Sequence, residues 1–86
     1  MKPIHEMVVL VEPNCIACVR VIHIARILRD KGIVSNLLII DRIDDPATSR
    51  NYGVVVFPAT FINGHLAFYG EFSIESVDRF LRLKAS

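Results

Sequence analysis

The hydrophobic pattern of the chain alternates between strand-like and helix-like segments. Residues 7–11 form a continuous apolar run rich in Val, which is typical of a strand buried on both faces. Residues 15–31 carry apolar side chains at three- and four-residue spacing, which predicts an amphipathic helix with Asn14 as its N-cap and Gly32 after its end. Residues 33–41 are again strand-like. The first half of the chain therefore predicts two parallel strands joined by a helix.

The second half of the chain predicts a short helix followed by a hairpin. Pro46 follows two acidic residues, which favours a helix that is capped by a carboxylate and has proline in its first turn. Residues 59–62 and 65–69 are typical of strands. Asn63 and Gly64 between them favour a two-residue hairpin turn, because both residue types tolerate positive φ.

A last helix is predicted to begin after Ser73 as its cap. Its apolar positions predict a buried stripe that comprises Ile74, Val77, Phe80 and Leu81. The complete order is β-α-β-α-β-β-α, which predicts an α/β fold with a four-stranded mixed sheet flanked by three helices.

Length and composition favour one small globular domain of residues 1–86, since 52% of the residues are apolar and 22% are charged. Ten basic and nine acidic residues give a net charge of +1, which indicates neither a nucleic acid nor an anionic membrane as a partner. The longest apolar runs are far shorter than the ~20 residues of a membrane helix. Residues 1–6 lack a secretory pattern. We therefore expect the protein to be cytoplasmic and monomeric.

Two cysteines, Cys15 and Cys18, follow the first strand at C-x-x-C spacing and begin the first helix. At this spacing their Cα atoms are close enough for a disulfide. Free backbone N–H groups and the helix dipole stabilise a thiolate there, which lowers a cysteine's pKa and makes it a nucleophile in disulfide exchange. Cys15 is expected to be the more exposed, attacking thiolate, and Cys18 the more buried, resolving thiol.

Two charged residues near the cysteines affect this expectation. If the Glu12 carboxylate approaches Cys15, it opposes formation of the thiolate, so only a moderate lowering of the Cys15 pKa is expected. Arg20, within two turns, provides either positive potential or only a solvated charge.

Other interpretations of the cysteine pair stay open. The pair could be half of a zinc site, which would need two further ligands, and the available histidines are His5, His23 and His65. It could be a soft-metal carrier, since two thiolates chelate Cu(I). It could also be a structural disulfide, although so short a loop constrains the unfolded chain little and the cytosol is reducing.

Further segments accompany the cysteine pair in a recognisable order. Tyr52-Gly53-Val54 comes before Phe57-Pro58, which leads into the third strand, and Gly70 follows the hairpin. Together with the C-x-x-C, this order resembles the thioredoxin/glutaredoxin superfamily, most of all the small thioredoxin-like proteins of bacteria and archaea. The resemblance implies that Pro58 follows a cis peptide bond and faces the disulfide. It also implies that the backbone of Phe57 meets an extended substrate strand, which Gly70 allows to come close.

The chain departs from the family pattern around the first cysteine. Glu12, Pro13 and Asn14 stand where an aromatic residue is usual, and Ile16 replaces the usual Gly or Pro. The glycine-rich segment before the last helix is reduced to Gly70. The resemblance therefore carries over the fold and the disulfide chemistry, but not a substrate, a reductant or a glutathione site.

The resemblance and the residues together predict a thiol–disulfide oxidoreductase that acts on protein disulfides. No metal or organic cofactor is expected. A dithiol donor, either a flavin-dependent thioredoxin reductase or glutathione, would regenerate the reduced cysteine pair. The alternatives from other classes are a soft-metal-handling module and a non-catalytic thioredoxin-like domain that binds partners.

Overall fold

The secondary structure follows the predicted order along the chain. The computed structural model describes residues 3–85, so residues 1, 2 and 86 of the predicted domain lie outside the described part. The predicted α/β fold with four strands in a mixed sheet and three helices is confirmed. The elements are β1 (Ile4–Val11), α1 (Ile16–Asp30), β2 (Val34–Asp41), α2 (Pro46–Asn51), β3 (Ala59–Ile62), β4 (His65–Tyr69) and α3 (Ile74–Ala85).

The sheet has the strand order β2-β1-β3-β4, which places β1 between β2 and β3. β1 pairs in parallel with β2, and β3 pairs antiparallel with β4, so both predicted pairings are confirmed. β1 also pairs antiparallel with β3, where Leu10 lies opposite Ala59. This register brings the end of β1 and the start of β3 to the same edge of the sheet.

Side chains of β1 alternate between two hydrophobic cores. Met7, Val9 and Val11 pack with α1 and α3 on one face of the sheet. Val8 and Leu10 pack with residues that follow α2, on the other face, because successive side chains of a strand point to opposite sides. Both faces of β1 are therefore covered, which confirms the prediction from its continuous apolar run. The first core is completed by helix residues, which are Cys18, Val21, Ala25, Leu28, Val77 and Leu81.

β1 begins at Ile4, three residues before the predicted start at Met7. The polar side chains of His5 and Glu6 interrupt the apolar pattern, but their backbone N–H groups each donate to Oδ1 of Asn63 at 3.0 Å. Pairing with β2, where Ile4 lies opposite Val34, and the contacts with Asn63 together extend the strand beyond its apolar part.

Three of the predicted helix boundaries are confirmed. The Asp45 carboxylate accepts the backbone N–H of Thr48 and caps α2. The Ser73 hydroxyl accepts the backbone N–H of Ser76 and caps α3. Gly32 adopts a φ of 78° just after α1, where a residue without Cβ is favoured. None of the helices in residues 3–85 is both long and apolar enough to cross a membrane.

Candidate active site

The two cysteines lie at the start of α1, just beyond the end of β1. Cys15 is the N-cap residue, and its Sγ accepts a hydrogen bond from the backbone N–H of Cys18 at 3.0 Å. The prediction of Asn14 as the cap is wrong. Asn14 has a φ of 56° and turns the chain between β1 and α1, whereas Cys15 is extended, as a cap residue must be. The two cysteines form a disulfide with their Cα atoms 5.2 Å apart.

The two sulfur-bearing side chains differ in exposure. Cys15 is half-buried, whereas Cys18 is only 2% exposed and packs in the first core with Val21 and Ala25. This difference was expected from their positions in the first helical turn, and it is confirmed. A reagent or a protein disulfide therefore reaches Cys15 more easily than Cys18.

The segment before β3 reaches the same edge of the sheet as the cysteine pair. The Phe57–Pro58 peptide bond is cis, as the resemblance implied. Since Ala59 lies opposite Leu10, Pro58 extends past that pair toward the start of α1. The backbone N–H of Gly70 donates to the carbonyl oxygen of Pro58 at 2.8 Å. The end of β4 is thereby held beside Pro58.

Backbone polar groups just before Pro58 are available to another chain. Within residues 3–85, no backbone–backbone hydrogen bond joins residues 54–57 to the rest of the protein. Gly70 has a φ of 76°, and a Cβ built on it would meet no heavy atom within 4 Å. The unpaired backbone and the open space are what an extended peptide needs in order to pair here.

Two ion pairs lie around this edge. Oε1 of Glu12 is 3.0 Å from Nε of Arg42, whose guanidinium also lies 5.8 Å from the ring centroid of Phe57. On α1, Nη1 of Arg20 is 3.2 Å from Oε1 of Glu71. The negative charge of Glu12, which the sequence places near Cys15, is therefore partly balanced by Arg42. Sequence reasoning missed both pairings because their partners are 30 and 51 residues apart, and no local spacing links them.

Metal ligands are few around the cysteine pair. Across residues 3–85, no group of three or more His, Cys, Asp or Glu side chains is placed to hold a metal ion. His5, His23 and His65 lie on three different elements, β1, α1 and β4. Residues 3–85 therefore do not place the two further ligands that a zinc site would need beside Cys15 and Cys18.

Comparison with known proteins agrees with this geometry. A family model described as a thioredoxin domain matches residues 5–82. The structure is similar to thioredoxin 1 from the thermophilic eubacterium Thermosipho africanus TCF52B, with a TM-score of 0.69 and 17% sequence identity. That match covers 94% of this chain and 99% of the other, and it shows a shared fold. No curated protein sequence matches the chain.

The thioredoxin-like fold and the bonded cysteine pair together support thiol–disulfide redox chemistry in general terms. The fold also suggests interaction with protein substrates. Because the family model spans nearly the whole sequence, the chain belongs to the thioredoxin domain family.

Proposed function

We propose that this chain is a cytoplasmic thiol–disulfide oxidoreductase that acts, as a monomer, on disulfides of other proteins. The observation that carries the proposal is the place of the Cys15 sulfur, which caps α1 and accepts the backbone N–H of Cys18. In the reduced protein, the same N–H and the positive end of the helix dipole stabilise a thiolate. The thiolate is the form of cysteine that attacks a disulfide.

The reaction proceeds through two exchange steps. The Cys15 thiolate attacks one sulfur of the substrate disulfide, so that a bond between Cys15 and the substrate forms while the substrate bond breaks and its other sulfur leaves as a thiolate. The Cys18 thiolate then attacks the Cys15 sulfur, closes the internal disulfide and releases the second substrate thiolate. Two electrons have passed to the substrate. A dithiol donor, a flavin-dependent thioredoxin reductase or glutathione, returns them, and no metal or organic cofactor takes part.

The substrate strand is proposed to lie across Phe57, Pro58 and Gly70. The unpaired backbone of Phe57 and the open space beside Gly70 support this placement. The side chains of Ile16 and Val55 are 73% and 89% exposed, and they belong to the two segments that meet at this edge. Burial of these side chains against a substrate protein would favour binding.

The roles of the two cysteines are tested with Cys15→Ser and Cys18→Ser. These variants are matched, because each removes the same disulfide and leaves one thiol. A peptide disulfide is mixed with each reduced variant, and the adducts are identified by mass spectrometry. We expect Cys18→Ser to accumulate a mixed disulfide through Cys15, and Cys15→Ser to form almost none. Equal trapping by both variants, or insulin reduction that survives in Cys15→Ser, would contradict the proposal.

The stabilised thiolate is tested by alkylation of the reduced wild-type protein with iodoacetamide at neutral pH. The sulfur of Cys15 should react several-fold faster in the folded protein than in a urea-denatured control, because the cap geometry exists only in the folded state. Equal rates would show that the helix terminus does not activate it. Copper or zinc bound in stoichiometric amount after purification, together with no reduction of insulin, would favour the metal-handling alternative.

A further inference from the structure

A groove of about 420 Å³ lies between α2 and the segment that leads to Pro58. Its volume is within the usual range for sites that bind small groups. Phe57, which lines the groove, precedes Pro58 directly, and Glu12, which also lines it, is three residues before Cys15. A substrate strand at the proposed site would therefore extend past the opening of this groove.

The groove carries more positive than negative charge. Two guanidinium groups, those of Arg42 and Arg50, line it together with one carboxylate, that of Glu12. Arg42 is already engaged, since it pairs with Glu12 and lies over the ring of Phe57. Arg50 is exposed, and among residues 3–85 its guanidinium has no ion-pair partner. The remaining charge of the groove thus belongs to Arg50.

A hydroxyl group also lies at the groove. Ser49 lines the groove although the residue is only 3% exposed. Within residues 3–85, the buried side-chain polar atom without a partner is Oγ1 of Thr60, so the hydroxyl of Ser49 is not sealed from solvent. It can donate a hydrogen bond to a ligand that brings an acceptor into the groove. A carboxylate is such an acceptor, and it is also the natural partner of a guanidinium.

We propose that this groove binds an acidic side chain of the substrate protein close to its reactive disulfide. The guanidinium of Arg50 pairs with the carboxylate, and the hydroxyl of Ser49 donates a hydrogen bond to it. This inference rests on the proposed function, since it assigns a preference to the same substrate site. The groove therefore selects among protein disulfides by the charge of the residues that flank them.

The test uses short peptides whose single cysteine is activated as a mixed disulfide with 2-thiopyridine. Each peptide carries Glu, Gln or Lys at one of the three positions on either side of the cysteine. The reduced Cys15 thiolate attacks the peptide sulfur and releases 2-thiopyridine, which is followed by absorbance. Pre-reduced protein, freed of reductant, gives the second-order rate constant for each peptide. The measured quantity is the ratio of the rates for the Glu peptide and its Gln counterpart.

We expect wild type to prefer Glu over Gln by roughly threefold to fivefold at one or two positions, the size of a partly solvated ion pair. Arg50→Gln should bring this ratio close to one, and Arg50→Glu should shift the preference to Lys. Arg26→Gln is the matched control, because it makes the same charge change on the exposed surface of α1, and it should keep the wild-type ratio. The ratio should also fall as salt shortens the Debye length from about 30 Å to about 3 Å.

A wild-type protein that reacts with the Gln peptides but prefers Glu at no position would overturn this inference and leave the proposed function standing. A Glu preference that survives in Arg50→Gln would overturn it as well. If no peptide reacts faster with wild type than with Cys15→Ser, the proposed function fails, and the substrate preference fails with it.

Discussion

Thr60 offers a direct test of the energetics of the sheet. The residue lies in β3 between Val9 of β1 and Phe68 of β4, and it is 0% exposed. Within residues 3–85, its Oγ1 has no hydrogen-bond partner. Folding therefore removes this hydroxyl from water without replacing the hydrogen bonds that it loses. The substitution Thr60→Val exchanges the hydroxyl for a methyl group of nearly the same shape.

The expected gain follows from the cost of an unsatisfied polar group. A buried donor or acceptor without a partner costs about 1–3 kcal/mol. Removing the hydroxyl removes this cost, but packing the new methyl group against its neighbours offsets part of the stabilisation. We therefore expect the free energy of unfolding to rise by roughly 1–2 kcal/mol. In a domain of this size each kcal/mol raises Tm by about 4–8 °C. Thr60→Val should therefore melt about 5–15 °C higher than wild type.

The assay is thermal and urea denaturation of the oxidised protein, followed by circular dichroism. The urea midpoint should rise while the m-value stays unchanged, which identifies a change in stability rather than in the unfolded state. Thr60→Ser is the control, because it keeps the hydroxyl and loses a buried methyl group, and it should be less stable by about 1 kcal/mol. If Thr60→Val is less stable than wild type, the hydroxyl has a favourable partner and the argument is refuted.

Three further predictions concern other parts of the fold. Asn63→Ala should lower the free energy of unfolding by about 1–3 kcal/mol, because Oδ1 accepts two backbone N–H groups of β1, and an unchanged urea midpoint would contradict this. Ser73→Ala should cost about 1 kcal/mol through loss of the α3 cap and lower the Tm. A Tm equal to that of wild type would contradict the role of Ser73 as the cap. Gly70→Ala and Gly32→Ala should both cost about 1 kcal/mol, because both glycines have positive φ, but only Gly70→Ala should slow the reaction with peptide disulfides. Equal rates in these two variants would argue against a substrate contact at Gly70.

The sequence by itself determined the elements and their order, because each one has a local signal. A continuous apolar run, a three- and four-residue spacing and an Asn-Gly turn depend only on neighbouring residues. The C-x-x-C after the first strand likewise predicted both cysteines at the start of the first helix, where Cys15 is the cap residue and Cys18 lies in the first turn. The difference in exposure between Cys15 and Cys18 follows from that position alone, and the structure agrees.

Tertiary structure decided what depends on residues far apart in the chain. The strand order, the early start of β1 and the cap at Cys15 rather than Asn14 arise from pairing and from backbone geometry at the strand–helix junction. The pair of Glu12 with Arg42 and the groove that contains Arg50 join segments that share no sequence spacing. Ion pairs and grooves form only where segments distant in sequence meet in the folded protein. The local pattern of hydrophobic and polar residues therefore does not predict them.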